Sequence, residues 1–215
     1  MPVVLPVIPL EEPLLLPGTV IPFYARDLWA YRLLEDALHS GGYVAILQPM
    51  ENGRFCRPGP AGQPPLYSVG CLGRIGDCCE EEPGEFLILA EGVVRFRVAE
   101  ELTPSPYGYR RVRADYYEFL EDLFRDRDEL KFPALREVVR QRLTFNEAPI
   151  DLALMDGMAG TEIVTALAHA IAFSSAERQV LLETPDLREL QDVLLQLMTG
   201  VGGTVRFDQA PMLPS

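Results

Sequence analysis

One change of pattern limits what this chain can fold into. Up to about residue 114 the apolar residues come in short runs cut by proline and glycine, as in strands joined by tight turns. From about residue 118 they recur every three or four positions, as on amphipathic helices. A β-rich half followed by a helical half implies an α+β architecture. The chain's 215 residues suit one large domain or two small ones.

In the first half, residues 3–10 form a proline-broken apolar run, expected as an edge or first strand. Leu14, Leu15 and Leu16 lead into a Pro17-Gly18 turn, and residues 20–23 read as another extended piece. Asp27 can cap a helix to about Ser40. Leu28, Tyr31, Leu34, Ala37 and Leu38 fall at helical spacing there, and Gly41-Gly42 ends it. Strands are expected over 43–48, 67–77, 86–90, 93–98 and 109–117, with loop over 52–65 and a charged turn at Pro83-Gly84. Alternation in 93–98 puts Arg95 and Arg97 on one face, away from Val94, Phe96 and Val98. This density of strands predicts a small barrel-like sheet.

The second half opens on residues 115–129, which hold seven acids and two arginines. Pro133 suits a helix first turn, with Leu135, Val138, Val139 and Leu143 on one face, and a short helix is expected over 150–158. Thr161 can cap the next helix, whose stripe is Val164, Leu167, Ala168 and Ile171. Ser174 and Glu177 fit a capping box. Thr184-Pro185-Asp186 fits the start of a last helix carrying Leu187, Leu190, Leu194 and Leu197. The division expected is a β-rich subdomain over 1–117, a helical one over 118–200 and a tail over 201–215.

Charge and residue stock exclude several functions. Nineteen basic residues against 32 acidic ones give a net charge of -13, the wrong sign for a general phosphate-backbone binder. The one lysine, Lys131, lies between Leu130 and Phe132, so no P-loop Gly-Lys-Ser/Thr exists in this sequence. Cys56, Cys71, Cys78 and Cys79 lack paired zinc-ligand spacing and read as reduced thiols, so no metal or cofactor is expected. The apolar first 18 residues are interrupted by five prolines and by Glu11 and Glu12. They make neither a signal peptide nor a membrane helix, and a cytoplasmic location off the membrane is expected. His39 and His169 are a thin stock for acid–base work, and the common hydrolase signatures are missing. No catalytic residue is assigned.

Four segments in order carry a family resemblance. Leu5-Pro6-Val7-Ile8-Pro9-Leu10 precedes Pro17-Gly18-Thr19-Val20-Ile21-Pro22-Phe23. Next come Tyr67-Ser68-Val69-Gly70 through Ile75, the run from Phe86 through Glu91-Gly92-Val93-Val94-Arg95-Phe96, and finally the helical stretch from Glu177 to Glu183. Together they resemble the N-terminal, substrate-binding domain of Lon proteases over about residues 3–198. Leu190-Gln191 departs from the arginine–leucine pair frequent there. The resemblance implies a PUA-like β pseudo-barrel followed by a small α-helical bundle. It further implies recognition of unfolded or tagged polypeptide or of a partner protein, as a stand-alone module without ATPase or peptidase. Pro17, Gly18, Pro22, Gly70, Glu91, Gly92 and Arg95 are the family's fold markers in this sequence. Arg95 is expected to pair with Glu91 or with a carboxylate of the helical half.

A groove between the halves is the expected contact surface for an apolar polypeptide segment, with Ile21, Phe23, Tyr67 and Phe96 as candidates. Two other readings are weighed. Tyr107, Tyr109, Arg110, Arg111 and Arg113 form a basic-aromatic patch of the kind that binds RNA, although a charged, soluble edge strand explains it too. A hydrolase of unknown type would rest on His39 or His169.

Overall fold

The computed structural model describes residues 1–50, 63–124, 135, 137, 157–171 and 173–200. Residues 52–62 of the expected loop, the helix expected after Pro133 apart from Leu135 and Glu137, most of the short helix over 150–158, Cys56, Lys131 and the tail lie outside the described residues.

Six strands form one sheet. They are β1 (Val4–Pro9), β2 (Val20–Ala25), β3 (Tyr43–Leu47), β4 (Val69–Glu82), β5 (Glu85–Leu102) and β6 (Arg111–Asp115). Their order is β2-β5-β4-β3-β1-β6, and a further β5–β6 pairing closes five of them into a barrel. Closure depends on the length of β5. Its Phe86–Glu91 stretch pairs with β2, and its Arg97–Leu102 stretch pairs with β6. Closing a barrel removes strand edges, which revises two expectations. The first strand, β1, lies between β3 and β6, and β6 lies between β1 and β5, so neither is an edge. The two strands expected over 86–98 are one. Gly92 does not end β5 but sits at a bulge, where Gly73 faces Gly92 and Leu72 faces Val94, with Val93 the extra residue. Pro83-Gly84 closes the β4–β5 hairpin, with Gly84 at φ +84°.

Helix α1 (Leu28–His39) follows β2, and Asp27 is its N-cap by position. Its carboxylate accepts from the Trp29 indole (3.2 Å) and makes no capping bond. The buried face is Leu33, Leu34 and Ala37, while Leu28 and Leu38 of the expected stripe are exposed.

After β6 come a 3-10 segment (Tyr117–Leu123), α2 (Gly160–Ala170), α3 (Ser175–Glu183) and α4 (Leu190–Gly200). Thr161 lies buried inside the first turn of α2; the expected cap position falls at Ala159, whose N–H donates to Glu162 (2.7 Å). The Ser174–Glu177 capping box forms as expected: Ser174 accepts from the Glu177 N–H, and Glu177 accepts from the Ser174 N–H (2.8 Å). Thr184 ends α3 and does not open α4; its hydroxyl donates to the Val180 carbonyl (2.9 Å). Asp186 instead caps the short 3-10 turn Leu187–Glu189 that runs into α4. Leu187, Leu190, Leu194 and Met198 are buried, and Leu197 is half-buried. A single apolar cluster runs from Leu5 in the barrel to Met198 in α4, so the two halves share a core.

Candidate functional site

The seam between the barrel and the helices gathers most of the marker residues. Pro17-Gly18 makes a tight turn, with the Thr19 N–H on the Leu16 carbonyl (3.1 Å) and Gly18 at φ +79°. The turn docks on Gly92 through Gly18 N–H to Gly92 C=O and Gly92 N–H to Thr19 C=O, both 2.8 Å. The Leu16 carbonyl then occupies the space a Cβ on residue 92 would need. Gly92→Ala is therefore expected to lower the unfolding free energy by about 1–3 kcal/mol, because the obstacle is backbone. Urea unfolding beside Gly76→Ala checks this, since a Cβ at residue 76 meets only ordinary contact.

Arg95, fully buried, crosses the seam. Its guanidinium meets Asp122 through Nε (2.9 Å) and Nη2 (2.8 Å), donates to the carbonyls of Leu182, Thr184 and Pro185, and lies over the Phe119 ring at 4.5 Å. Of the two expected partners, the carboxylate of the helical half is the one found. Glu91 binds Arg74 (2.6 Å). A second buried arginine, Arg178, was not singled out by the sequence. It joins α3 to Glu12 (2.7 Å) and to Gln48 (3.4 Å), while its neighbour Gln179 donates to the Val69 carbonyl (3.1 Å). Its sequence signals were its place beside the capping box and inside the Glu177–Glu183 stretch that carries the resemblance. A cleft of about 310 Å³ opens between the halves, lined by Pro17, Gly18, Arg74, Glu91, Asp122 and Leu187 among others. Its charged walls are already paired, so it is poorly suited to an apolar segment.

None of the four expected contact residues lines that cleft. Ile21, Phe23 and Phe96 lie in the core and Tyr67 is half-buried, with its N–H on the Gln48 carbonyl (3.0 Å). In β2 the reason is parity. Val20–Ala25 is apolar or aromatic at every position, so alternation does not say which set faces inward. The ladder decides: Val20 faces Glu91, Pro22 faces Leu89 and Tyr24 faces Leu87, all on the side away from the core. On β4, Cys79 continues the row of Tyr24 and Leu87, and Arg74 continues the row of Val20 and Glu91. Val20 is 57% exposed, Tyr24 49%, and Pro22 is exposed as well; Leu87 and Leu89 are half-buried between them. The result is an apolar outer face on the β2–β5–β4 arm. The Arg74–Glu91 pair bounds one end. At the other the Tyr24 hydroxyl donates to Glu81 (3.2 Å), whose charge raises the phenol pKa.

Residues 4–200 match the family model described as the ATP-dependent protease La (LON) substrate-binding domain. The chain belongs to this family. Lon protease 2 of Myxococcus xanthus is 25% identical over 210 residues, covering 92% of this chain and 24% of its own length. The Lon protease of Anaeromyxobacter dehalogenans is 24% identical over 212 residues, covering 92% and 23%. The chain thus spans about a quarter of the length of these curated relatives. The crystal structure of a Lon N-terminal domain protein from Xanthomonas campestris matches at TM-score 0.60 and 21% identity, covering 91% of this chain and 96% of that one. The N-terminal domain of the Mycobacterium avium complex Lon protease matches at TM-score 0.65 and 18% identity, covering 92% and 99%. The fold is therefore α+β, a PUA-like pseudo-barrel followed by helices.

The residues expected as markers have definite places in the structure. Pro17, Gly18, Gly92 and Arg95 build the seam. Gly70 has no room for a Cβ beside Leu47 and the Ile46 carbonyl, and Pro22 lies on the outer face of β2. The basic-aromatic patch does not assemble as a free surface. Arg110 is buried against Glu101 (2.6 Å), Arg113 pairs with Glu100 (3.2 Å), and Arg111 donates to the Thr103 carbonyl (2.9 Å). Tyr109 is buried with its hydroxyl on Asp36, and Tyr107 is stacked under Arg32. His39 ends α1 with Nδ1 at 2.7 Å from the Glu35 carbonyl. His169 stands exposed on α2, 3.8 Å from Glu12. Burial pushes the Cys71 thiol pKa up, and Cys78 and Cys79 are exposed on opposite faces of β4. Among the described residues no helix is long and apolar enough to cross a membrane.

Proposed function

We propose that this chain recognises unfolded polypeptide, as a non-catalytic binding module or adaptor, through the outer face of the β2–β5–β4 arm. The observation that carries this reading is the face itself. An antiparallel sheet that turns one side to the core normally solvates the other with polar residues. Here that side presents Val20, Pro22, Tyr24, Leu87 and Leu89. A contiguous exposed apolar patch rimmed by charge marks an interaction surface. Its chemistry is sequence-tolerant, as recognition of unfolded chains requires, because apolar burial is non-directional. Membership of a substrate-binding family supports the same reading. The paired arginines leave an RNA reading without a supporting observation.

The affinity expected is weak, a Kd of about 0.2 mM, since five partly exposed side chains at about 1 kcal/mol each supply about 5 kcal/mol. Titration of a reduced, carboxymethylated and permanently unfolded protein should show saturable binding. Val20→Asp/Tyr24→Ser should weaken it about tenfold with little change in stability, because both sites are exposed. Absence of saturation up to millimolar concentration would overturn the proposal.

A further inference from the structure

We infer that the free edge of β2, together with the apolar cleft beside it, takes up an extended polypeptide segment as an added strand with one apolar side chain anchored in the cleft. The inference rests on the polypeptide-binding reading above and specifies its mode. Among the described residues β2 pairs only with β5, so its other edge is open. The ladder fixes which groups point to that edge. Gly92 N–H donates to the Thr19 carbonyl (2.8 Å), and Pro22 has no N–H to give β5. With Val20, Pro22 and Tyr24 opposite Glu91, Leu89 and Leu87, the backbone groups of those three residues point outward. The edge therefore offers the carbonyls of Val20, Pro22 and Tyr24 and the N–H groups of Val20 and Tyr24. A complementary row of this kind is matched by another extended backbone.

The second observation is a cleft of about 210 Å³ where β2 runs into α1, lined by Leu10, Phe23, Ala25, Trp29, Leu33 and Leu34 among others. From β2 it takes in the core-facing Phe23 and Ala25, and Tyr24, Arg26 and Asp27 also border it. A strand laid along the edge directs alternate side chains to the two sides. One set would cover Val20, Pro22 and Tyr24, and the other would reach the cleft. Charge narrows the occupant. Ala25 pairs with Phe86, so the hairpin bearing Glu80, Glu81 and Glu82 lies at that end of the strand. Arg26, the cation there, is held by Glu85 (2.8 Å). An apolar anchor flanked by basic residues fits this setting. Pro22 removes one donor from the edge, which limits pairing between copies of the chain without blocking the rest of the row.

The probe is a short, end-blocked peptide in which lysine alternates with leucine, with N-methyl groups placed on one alternate set of residues or the other. Trp29 is the chain's one tryptophan, so its emission reports on the cleft directly. The unmethylated peptide should bind saturably and shift that emission to shorter wavelength. N-methylation of one alternate set should weaken binding about tenfold, with the other set within twofold, because only one set of N–H groups can face β2. Equal effects of the two sets, or binding with no change in Trp29 emission, would overturn strand addition while leaving the outer-face reading in place. No binding of the unmethylated peptide would overturn strand addition. Failure of the unfolded protein to bind as well would take the broader proposal with it.

Discussion

Asp122→Ala is expected to lower the unfolding free energy by about 3–5 kcal/mol. The two side chains of the Arg95–Asp122 pair are 0% and 2% exposed, so solvent cannot stand in for the lost partner. Asp122 accepts three bonds from Arg95: from the backbone N–H (3.1 Å), from Nε (2.9 Å) and from Nη2 (2.8 Å). Removing the carboxylate leaves a guanidinium buried among the carbonyls of Leu182, Thr184 and Pro185 and the Phe119 ring, with no anion among these groups. Those dipoles do not neutralise a charge. The double variant Arg95→Met/Asp122→Leu removes both charges and keeps apolar volume. It should recover most of the loss, since buried pairs replaced as a unit cost little. Urea unfolding of the wild type, the single variant and the double variant distinguishes the cases. A double variant no more stable than Asp122→Ala would mean that the hydrogen bonds to the α3–α4 connection, and not the uncompensated charge, dominate.

That pair also marks how far the sequence could be read. Local signals were legible because their physics is local. Pro17-Gly18 and Pro83-Gly84 turn, the Ser174–Glu177 box caps, and Arg95 and Arg97 share a face. What the sequence could not show was what lies across from a residue. The shared arginine face is solvated at Arg97 and sealed at Arg95, because the chain after β6 brings Asp122 over one and not the other. β1 looked like an edge because prolines break it, yet closure through β5 and β6 puts it inside the barrel. The candidate site suffered the same limit in its sharpest form. In a strand apolar at every position, one step of parity separates Ile21 and Phe23 from Val20, Pro22 and Tyr24. Only pairing with Leu87 and Leu89 shows which set is outside. Arg178 was invisible for a related reason: its partners Glu12 and Gln48 are more than a hundred residues away in sequence.

Phe96→Ala is expected to cost about 3–5 kcal/mol in stability and to leave the affinity of the folded molecule for unfolded polypeptide unchanged. Phe96 is fully buried on the inward face of β5 and meets the Tyr116 ring edge-on at a centroid distance of 6.1 Å. Burial pushes the Tyr116 phenol pKa up to about 12, and its hydroxyl donates to the Pro2 carbonyl (2.6 Å), so this ring is held in place. Directly across the ladder, Gly70 brings no side chain, and the space beside it is filled by Leu47 and the Ile46 carbonyl. Close packing from several elements leaves little freedom to collapse, which puts truncation at the expensive end of the range for buried aromatics. The outer-face variant Val20→Asp/Tyr24→Ser should behave in the opposite way, losing binding and keeping stability. Measuring both properties on both proteins separates barrel interior from recognition surface. A Phe96→Ala protein that melts like the wild type but binds tenfold more weakly would return Phe96 to the contact surface. It would also require the barrel to open when polypeptide binds.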